Sequence, residues 1–228
     1  MVMPVILFAN VFISSFSNLL VPEFSRLLTC KNYKRLQFVC NVIFKVTFIF
    51  SIGITFMFFL FSNDISLIVY QSIEPGKWIK ILSPLIFFIY IDNIIDNMLK
   101  GINEQVSVMF CNILDLLTTI SIIFFIVPIY GMYGYIFSIF VSELLNFTIS
   151  ILQLKKRIKY HINITDFIVF PILSCVFSCC LIIVFKMFFI NNFLLLIFLF
   201  ILTYIFFLHL FKCFKFFYMR ERPKSSKF

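Results

Sequence analysis

The chain has 228 residues, of which 62% are hydrophobic and 13% charged, and its mean hydropathy is +1.09. This composition, with 36 Phe, excludes a water-soluble globular domain and indicates an integral membrane protein. The net charge of +9 would suit a nucleic-acid-binding protein. The Lys and Arg residues lie mainly between the apolar runs and on one predicted side of the membrane, as in membrane proteins, so no nucleic-acid partner is predicted.

Seven apolar runs are long enough to cross a bilayer, whose hydrocarbon core needs about 20 helical residues. They lie at 3–21, 42–62, 79–99, 106–128, 132–152, 166–187 and 190–211, and we number them spans 1 to 7. The runs are continuous rather than alternating, which favours helices over a transmembrane β-barrel. The predicted fold class is therefore an all-α transmembrane bundle of seven membrane-spanning helices. Between spans 4 and 5 the stretch VPIYGMYG, with Pro128, Gly131 and Gly134, predicts a tight hairpin.

Lys and Arg residues divide unevenly between the two sides of the membrane. If span 1 enters from outside and the chain then alternates, only Lys77, Lys80 and Lys186 lie outside. The inner residues are Arg26, Lys31, Lys34, Arg35, Lys45, Lys100, Lys155, Lys156, Arg157, Lys159, Lys212, Lys215, Arg220, Arg222, Lys224 and Lys227. This bias predicts a multi-pass protein of the cell membrane with a cytoplasmic C-terminus. Residues 1–212 are then the membrane domain, and 213–228 a basic cytoplasmic tail.

The N-terminus begins outside in this topology, directly in an apolar run without a basic leader. We therefore expect further helices to precede Met1, with the sequence being part of a larger transporter. The seven Cys form no CxxC pair, and His161 and His209 are each isolated along the chain. Neither a catalytic group, a metal site nor a cofactor is predicted.

Span 3 ends in an unusually polar stretch, DNIIDNMLKGINEQ, residues 92–105. Asp92, Asp96 and Lys100 recur at every fourth residue and so share one helix face, with Asn93 and Asn97 about 100° around the helix. An acid at mid-membrane costs about 2.5–3.5 kcal/mol, so this face should turn away from lipid, toward protein or a wet cavity. Its amides could bind sugar hydroxyls there, and its acids could couple transport to H⁺ or Na⁺. The alternative is structural, with Asp96 paired to Lys100 and Asp92 bonded to a neighbouring helix.

Two further acids lie inside spans, Asp115 in span 4 and Glu143 in span 5. Ionisable residues within a membrane are site candidates by default. Each could instead be a neutral acid hydrogen-bonded between helices, and Ser138 and Ser142 are the expected donors to Glu143. Lys45, near the inner end of span 2, is expected to extend its side chain to the headgroups.

Three passages in this order resemble a known family. They are VPEFSRLLTCKNYKRL (21–36), GKWIKILSPLIFFIYIDNIIDNMLKGINEQ (76–105) and the run from Asn112 to Ser150 that contains the Pro-Gly hairpin. The sequence resembles the C-terminal half of stage V sporulation protein B and related polysaccharide and lipid-linked oligosaccharide flippases of the MATE-like exporter superfamily. The pattern D-x-x-x-D-x-x-L-K-G-x-x-x-Q, residues 92–105, is its most specific part.

The resemblance implies a fourteen-helix transporter of two lobes around a cavity that opens alternately to either side. The seven spans would be its C-terminal lobe and its cargo a polyprenyl-linked sugar. Membrane lipid, a separately encoded N-terminal lobe or a second copy of the chain are the implied partners. Two other functions stay open, a cation-coupled multidrug exporter lobe of the same superfamily and a non-transporting scaffold or remnant. A membrane enzyme is disfavoured because lone His161 supplies no catalytic cluster.

Overall fold

The structure is a computed structural model that describes residues 2–8, 10–158, 165–188 and 192–211. Its described residues are helical apart from short turns, and they contain no strand. Seven helices are long and apolar enough to cross a membrane: Met3–Thr29, Tyr33–Leu60, Glu74–Gly101, Gln105–Tyr130, Met132–Arg157, Thr165–Lys186 and Phe193–Leu210. This confirms the predicted all-α transmembrane fold, and these helices are spans 1 to 7 from here on. The predicted basic tail and His161 lie outside the described residues.

Span 2 begins at Tyr33 rather than at residue 42. Asn32 caps it, since its side-chain oxygen accepts a hydrogen bond from the Arg35 backbone N–H at 3.2 Å. The earlier start places Lys45 well inside the helix, where it is only 4% exposed. The expectation that Lys45 extends to the headgroups is therefore wrong.

A short helix, Ser62–Tyr70, which the sequence analysis did not predict, joins spans 2 and 3. It ends at Gln71 in the left-handed conformation, with φ of 52°, and the Ser66 hydroxyl donates to the Ser72 carbonyl at 2.5 Å. Gly76 permits the next helix to begin against it, because a Cβ there would lie 2.7 Å from Asn63 Oδ1. The short helix thus fixes where span 3 starts.

The structure divides into two compact units, Met1–Ile162 and Asn163–Phe228. In the first unit span 3 is central, because it packs against spans 1, 2 and 5 and against the short helix. In the most apolar stretch of 18 residues in span 3, 61% of the residues are buried, whereas in the corresponding stretch of span 4 only 6% are buried. Its fully buried side chains include Leu85, Ile86, Tyr90, Ile91, Ile94, Ile95 and Met98. The polar stretch of the sequence therefore lies on the most enclosed helix of this unit.

Span 1 consists of three helical pieces, Met3–Phe8, Asn10–Asn18 and Leu20–Thr29. The last piece approaches the end of span 3 so closely that only glycine fits there. A Cβ at Gly101 would lie 2.6 Å from Phe24 Cβ and 3.0 Å from the Val21 carbonyl oxygen.

Spans 4 and 5 form the predicted hairpin with a single residue between them. Gly131 has φ of 56°, which glycine adopts without strain, and the helices on either side end at Tyr130 and resume at Met132. Gly134 lets the two helices touch, because a Cβ there would lie 2.9 Å from the Ile126 carbonyl oxygen. The Pro-Gly pattern therefore predicted this turn correctly.

The second unit contains spans 6 and 7. Span 6 opens with one π-helical turn, Thr165–Val169, and continues as an α-helix, Phe170–Phe188, that packs on span 7. Phenylalanine rings stack between the two helices, with the centroids of Phe177 and Phe207 5.5 Å apart. Small side chains, Ser174, Cys175 and Ser178, are fully buried in this unit, which suits close helix packing in lipid.

Replacing Gly101 with Ala should destabilise the first unit. The added methyl group would lie 2.6 Å from Phe24 Cβ, which is closer than two carbon atoms can pack. Spans 1 and 3 must therefore move apart, which should lower the free energy of unfolding by about 1–3 kcal/mol. The measurement is the free energy of unfolding in detergent micelles. Ser121→Ala, at an exposed position of span 4, is the control and should stay within about 0.5 kcal/mol of the parent. Equal stability of both variants would contradict the close approach of spans 1 and 3.

Candidate functional site

The acidic face of span 3 lies against span 5. Asp92 Oδ2 accepts a hydrogen bond from Asn146 Nδ2 at 2.8 Å, and the two residues are 7% and 8% exposed. One turn further along both helices, Ser150 is completely buried and lies beside both Asp92 and Asp96. Its hydroxyl forms no hydrogen bond of normal geometry with either acid. The face therefore meets polar protein, and Asp92 is bonded to a neighbouring helix.

This contact concentrates unsatisfied polar atoms. In the described part of the chain seven buried side-chain nitrogen or oxygen atoms lack a hydrogen-bond partner, and five of them belong to residues of spans 3 and 5. These five are Asp92 Oδ1, Asp96 Oδ1, Asn146 Oδ1, Ser150 Oγ and Gln153 Oε1. Buried polar groups are almost always paired, so such a concentration calls for an explanation. Four of the five are acceptor oxygens, and the contact is thus suited to a cation or to a hydrogen-bond donor.

Asp115 joins the same region from span 4. Its Oδ1 accepts a hydrogen bond from the Ser142 hydroxyl, which in turn accepts one from Thr119 Oγ1 at 2.8 Å. Ser138 donates to the Tyr135 carbonyl at 2.7 Å. Both serines that the sequence analysis assigned to Glu143 are therefore engaged elsewhere, and that expectation is wrong.

The four intramembrane acids are close enough to interact through their charges. Glu143 interacts with Asp92, Asp96 and Asp115, and Asp92 interacts with Asp96 and Asp115. Four carboxyl groups therefore lie within the range of charge–charge interaction, in an interior where such interactions are stronger than in water. In the described structure no group of three or more His, Cys, Asp or Glu residues is arranged to hold a metal ion.

Lys100 interacts through charge with both Asp92 and Asp96. Its ammonium nitrogen lies 3.4 Å from Asn97 Oδ1, to which it donates, and it forms no ion pair with Asp96 within the described residues. The helix-end salt bridge considered from the sequence is therefore not the contact that holds Lys100.

The amide stripe of span 3 faces a different partner. Asn93 Nδ2 donates to Asn10 Oδ1 at 3.2 Å, and Asn97 Nδ2 donates to the Ser17 hydroxyl and to Asn18 Oδ1, the latter at 3.3 Å. These amides join span 3 to span 1. The structure thus brings Asp92, Asp96, Asp115 and Glu143 together and places Asn93 and Asn97 at a separate contact; a role of either set in transport stays a prediction.

Sequence reasoning missed Asn146, Ser150 and Gln153, which span 5 contributes, and it assigned Ser142 to Glu143 rather than to Asp115. Ser142, Asn146, Ser150 and Gln153 follow one another at intervals of four, four and three residues, the same spacing that identified the acidic face of span 3. We call the resulting assembly the polar seam. It consists of Asp92, Asp96, Asp115, Glu143, Ser142, Asn146, Ser150 and Gln153.

The end of the seam is marked by two further contacts between spans 4 and 5. Gln153 Nε2 donates to Cys111 Sγ at 2.9 Å. One turn beyond it, Arg157 Nη2 forms an ion pair with Glu104 Oε1 at 2.8 Å. From Ser142 to Gln153, the first and last seam residues of span 5, the helix rises by about 16 Å, so the seam extends from near the end of span 5 to mid-membrane depth.

Seven apolar helices, with Asp92 buried between spans 3 and 5, define a multi-pass membrane protein with polar groups in the interior of its first unit. The MatE family model matches residues 1–125 of the 228 residues. The chain therefore belongs to the MatE family, whose members are transporters, and this confirms the superfamily predicted from the sequence. The match includes Asp92, Asp96 and Asp115, whereas Glu143 and Asn146 lie beyond it. No curated protein and no solved structure matches the chain.

The hydrogen bond between Asp92 and Asn146 should appear as coupling in a double-mutant cycle. Asp92→Leu or Asn146→Leu alone leaves its buried partner unpaired, at a cost of about 1–3 kcal/mol. The double variant removes both polar groups and should cost less than the sum. The measurement is the free energy of unfolding in detergent.

The matched control combines Asp92→Leu with Thr148→Val, an exposed residue of span 5 whose hydroxyl bonds its own helix at Leu144. These two changes should add to within about 0.5 kcal/mol. Simple additivity in the Asn146 cycle as well would show that the two side chains are not coupled.

Proposed function

We propose that this chain is one lobe of an exporter that moves a polyprenyl-linked oligosaccharide across the cell membrane by alternating access. Membership of the MatE family and the flippase-like passages of the sequence support this function. The observation that carries it is the polar seam, a buried acidic contact inside a chain that is 62% hydrophobic. Such a contact is expensive in lipid and is expected where cargo or coupling ions pass.

The proposed motion occurs at the contact between spans 3 and 5. Span 3 is held to span 1 by amide hydrogen bonds whose partners are both present, while its contact with span 5 leaves oxygens of Asp92, Asp96 and Asn146 unpaired. A proton or Na⁺ entering the seam reduces the repulsion between the acids and lets the two helices close. Its loss restores the repulsion and favours separation.

The seam suits the sugar part of the cargo. Unpaired acceptor oxygens can receive hydrogen bonds from sugar hydroxyls, which act as donors. Carboxylates are poor partners for the pyrophosphate of a lipid-linked sugar, because both are anionic. The pyrophosphate would therefore bind away from Asp92 and Asp96.

A second lobe is part of the proposal. Asp115 is only half-buried. It lies on span 4, where only 6% of the residues in the most apolar stretch of 18 are buried. An acid on so exposed a helix favours a polar protein neighbour over lipid. A separately encoded N-terminal lobe or a second copy of this chain would supply that neighbour. The distribution of Lys and Arg supports a cytoplasmic C-terminus in this assembly.

A cation-coupled multidrug exporter is the second candidate. The observation that favours it is the clustering of four acids, because carboxyl groups are the side chains that can take up the H⁺ or Na⁺ that drives such an exporter. The two candidates share the seam and differ in the cargo that crosses.

The test is transport in proteoliposomes that contain the chain, alone and together with its N-terminal lobe where one is encoded. A fluorescent polyprenyl-pyrophosphate oligosaccharide serves as the probe, and its crossing is followed with a membrane-impermeant quencher across a range of pH and Na⁺ concentrations. Asp92→Asn with Asp96→Asn should slow crossing about tenfold and flatten its dependence on pH or Na⁺, within the usual range of coupling between sites. Asp64→Asn, outside the seam, is the control and should behave as the parent.

Each outcome separates the candidates. Crossing of ethidium but not of the lipid-linked probe would replace the flippase by the drug exporter. Crossing of neither probe, with or without a second lobe, would favour a non-transporting scaffold. If transport and its pH dependence were unchanged in the double variant, Asp92 and Asp96 would have no part in the transport mechanism.

A further inference from the structure

A cavity of about 390 Å³ lies at the end of the polar seam that Gln153 marks, where span 3 passes into span 4 and span 5 ends. Its lining residues are Leu99, Glu104, Ser107, Gln153, Lys156 and Arg157. The volume is within the range of ligand pockets, about 300–1,000 Å³. Three helix ends meet here, so the cavity lies at a membrane surface rather than at mid-membrane depth.

The charges around the cavity leave one unbalanced cation. Arg157 and Glu104 form an ion pair at 2.8 Å and neutralise each other. Lys156 also lines the cavity, and within the described residues it forms no ion pair. The lining therefore carries one net positive charge, which matches an anion of single charge.

The end of span 4 adds to this positive potential. The helix begins at Gln105, has no acidic residue in its first turn, and Glu104 does not cap it with its side chain. The Ser107 backbone N–H already donates to the Glu104 carbonyl at 3.1 Å, so this end contributes through the partial positive charge of the helix N-terminus, which favours a phosphate or another anion. Ser107, in the first turn and on the cavity wall, offers a hydroxyl donor.

Apolar side chains lie next to these donors on the same helix. Val106, Met109 and Phe110 are 64%, 51% and 58% exposed at the start of span 4. A molecule with its phosphate in the cavity can therefore place acyl chains along the surface of span 4. This combination of a single positive charge, directed donors and an adjoining apolar surface is what a phospholipid requires.

We propose that this cavity binds a singly charged phosphate group, as the phosphodiester of an anionic phospholipid presents it, through Lys156, Ser107 and the N-terminus of span 4. Glu104 limits the affinity because it occupies Arg157. The site adjoins the polar seam at Gln153, and the proposal does not depend on the flippase function.

The experiment titrates the purified chain, in a neutral detergent, with phosphatidylglycerol or with phosphatidylcholine. Bound lipid is counted by native mass spectrometry and stabilisation by thermal unfolding. Lys156→Gln should weaken phosphatidylglycerol binding about tenfold, the value of one charge-assisted hydrogen bond. Lys155→Gln removes an equal charge from the same helical turn but does not line the cavity, and it should leave binding unchanged.

Glu104→Gln provides a test of opposite sign. It releases Arg157 from its ion pair, so binding of phosphatidylglycerol should become several-fold tighter. A general surface effect of charge predicts instead that Lys155→Gln and Lys156→Gln weaken binding equally, and that result would overturn the proposal. So would equal binding of phosphatidylcholine and phosphatidylglycerol.

Inorganic phosphate, added without lipid, distinguishes the two sources of the ligand. Stabilisation by phosphate that equals that by phosphatidylglycerol and is lost in Lys156→Gln would identify a site for free phosphate. A Lys156-dependent effect of phosphatidylglycerol alone identifies the lipid headgroup. An absence of any Lys156-dependent binding in both titrations would refute the site.

Discussion

The hydrogen bond from Asn146 to Asp92 is the interaction on which the arrangement of the first unit depends. A carboxyl group inside a membrane span must meet a polar neighbour, and span 5 supplies one at the same depth. That requirement fixes the rotation of span 3 about its own axis. Because Asn93 and Asn97 lie about 100° around the helix, the same rotation directs them to span 1. One costly side chain thus determines which faces of the central helix meet spans 1 and 5.

The two sides of span 3 are held in physically different ways. Toward span 1 the amides of Asn93 and Asn97 have partners, and a satisfied polar network makes a contact rigid. Toward span 5 the oxygens of Asp92 and Asp96 are only partly paired, which makes this contact less rigid than the one with span 1. Spans 4 and 5 are tied to each other through Gly131, which favours their movement as one hairpin.

The seven spans and the hairpin could be predicted because lipid permits few backbone arrangements and apolar runs reveal them. The start of span 2 could not be predicted, because residues 33–41 are too polar to be identified by hydropathy. The nine-residue helix Ser62–Tyr70 was missed because it is too short to cross a membrane. In the seam, burial cost predicted that Asp92 turns inward. Its partner Asn146 depends on the register between two helices distant in sequence, which local spacing does not determine.

The segment that the family model matches ends between the acids of spans 3 and 4 and their partners on span 5. The MatE model matches residues 1–125, which include Asp92, Asp96 and Asp115, while the groups that contact these acids from span 5 lie after residue 125. Asp92, Asp96 and Asp115 therefore lie inside the matched segment, and their partners from span 5 lie outside it. Changes at Ser142, Asn146 or Ser150 would alter the size and polarity of the seam without altering its charge. Span 5 is thus the helix where a substitution would change the surroundings of the acids while leaving the four carboxyl groups in place.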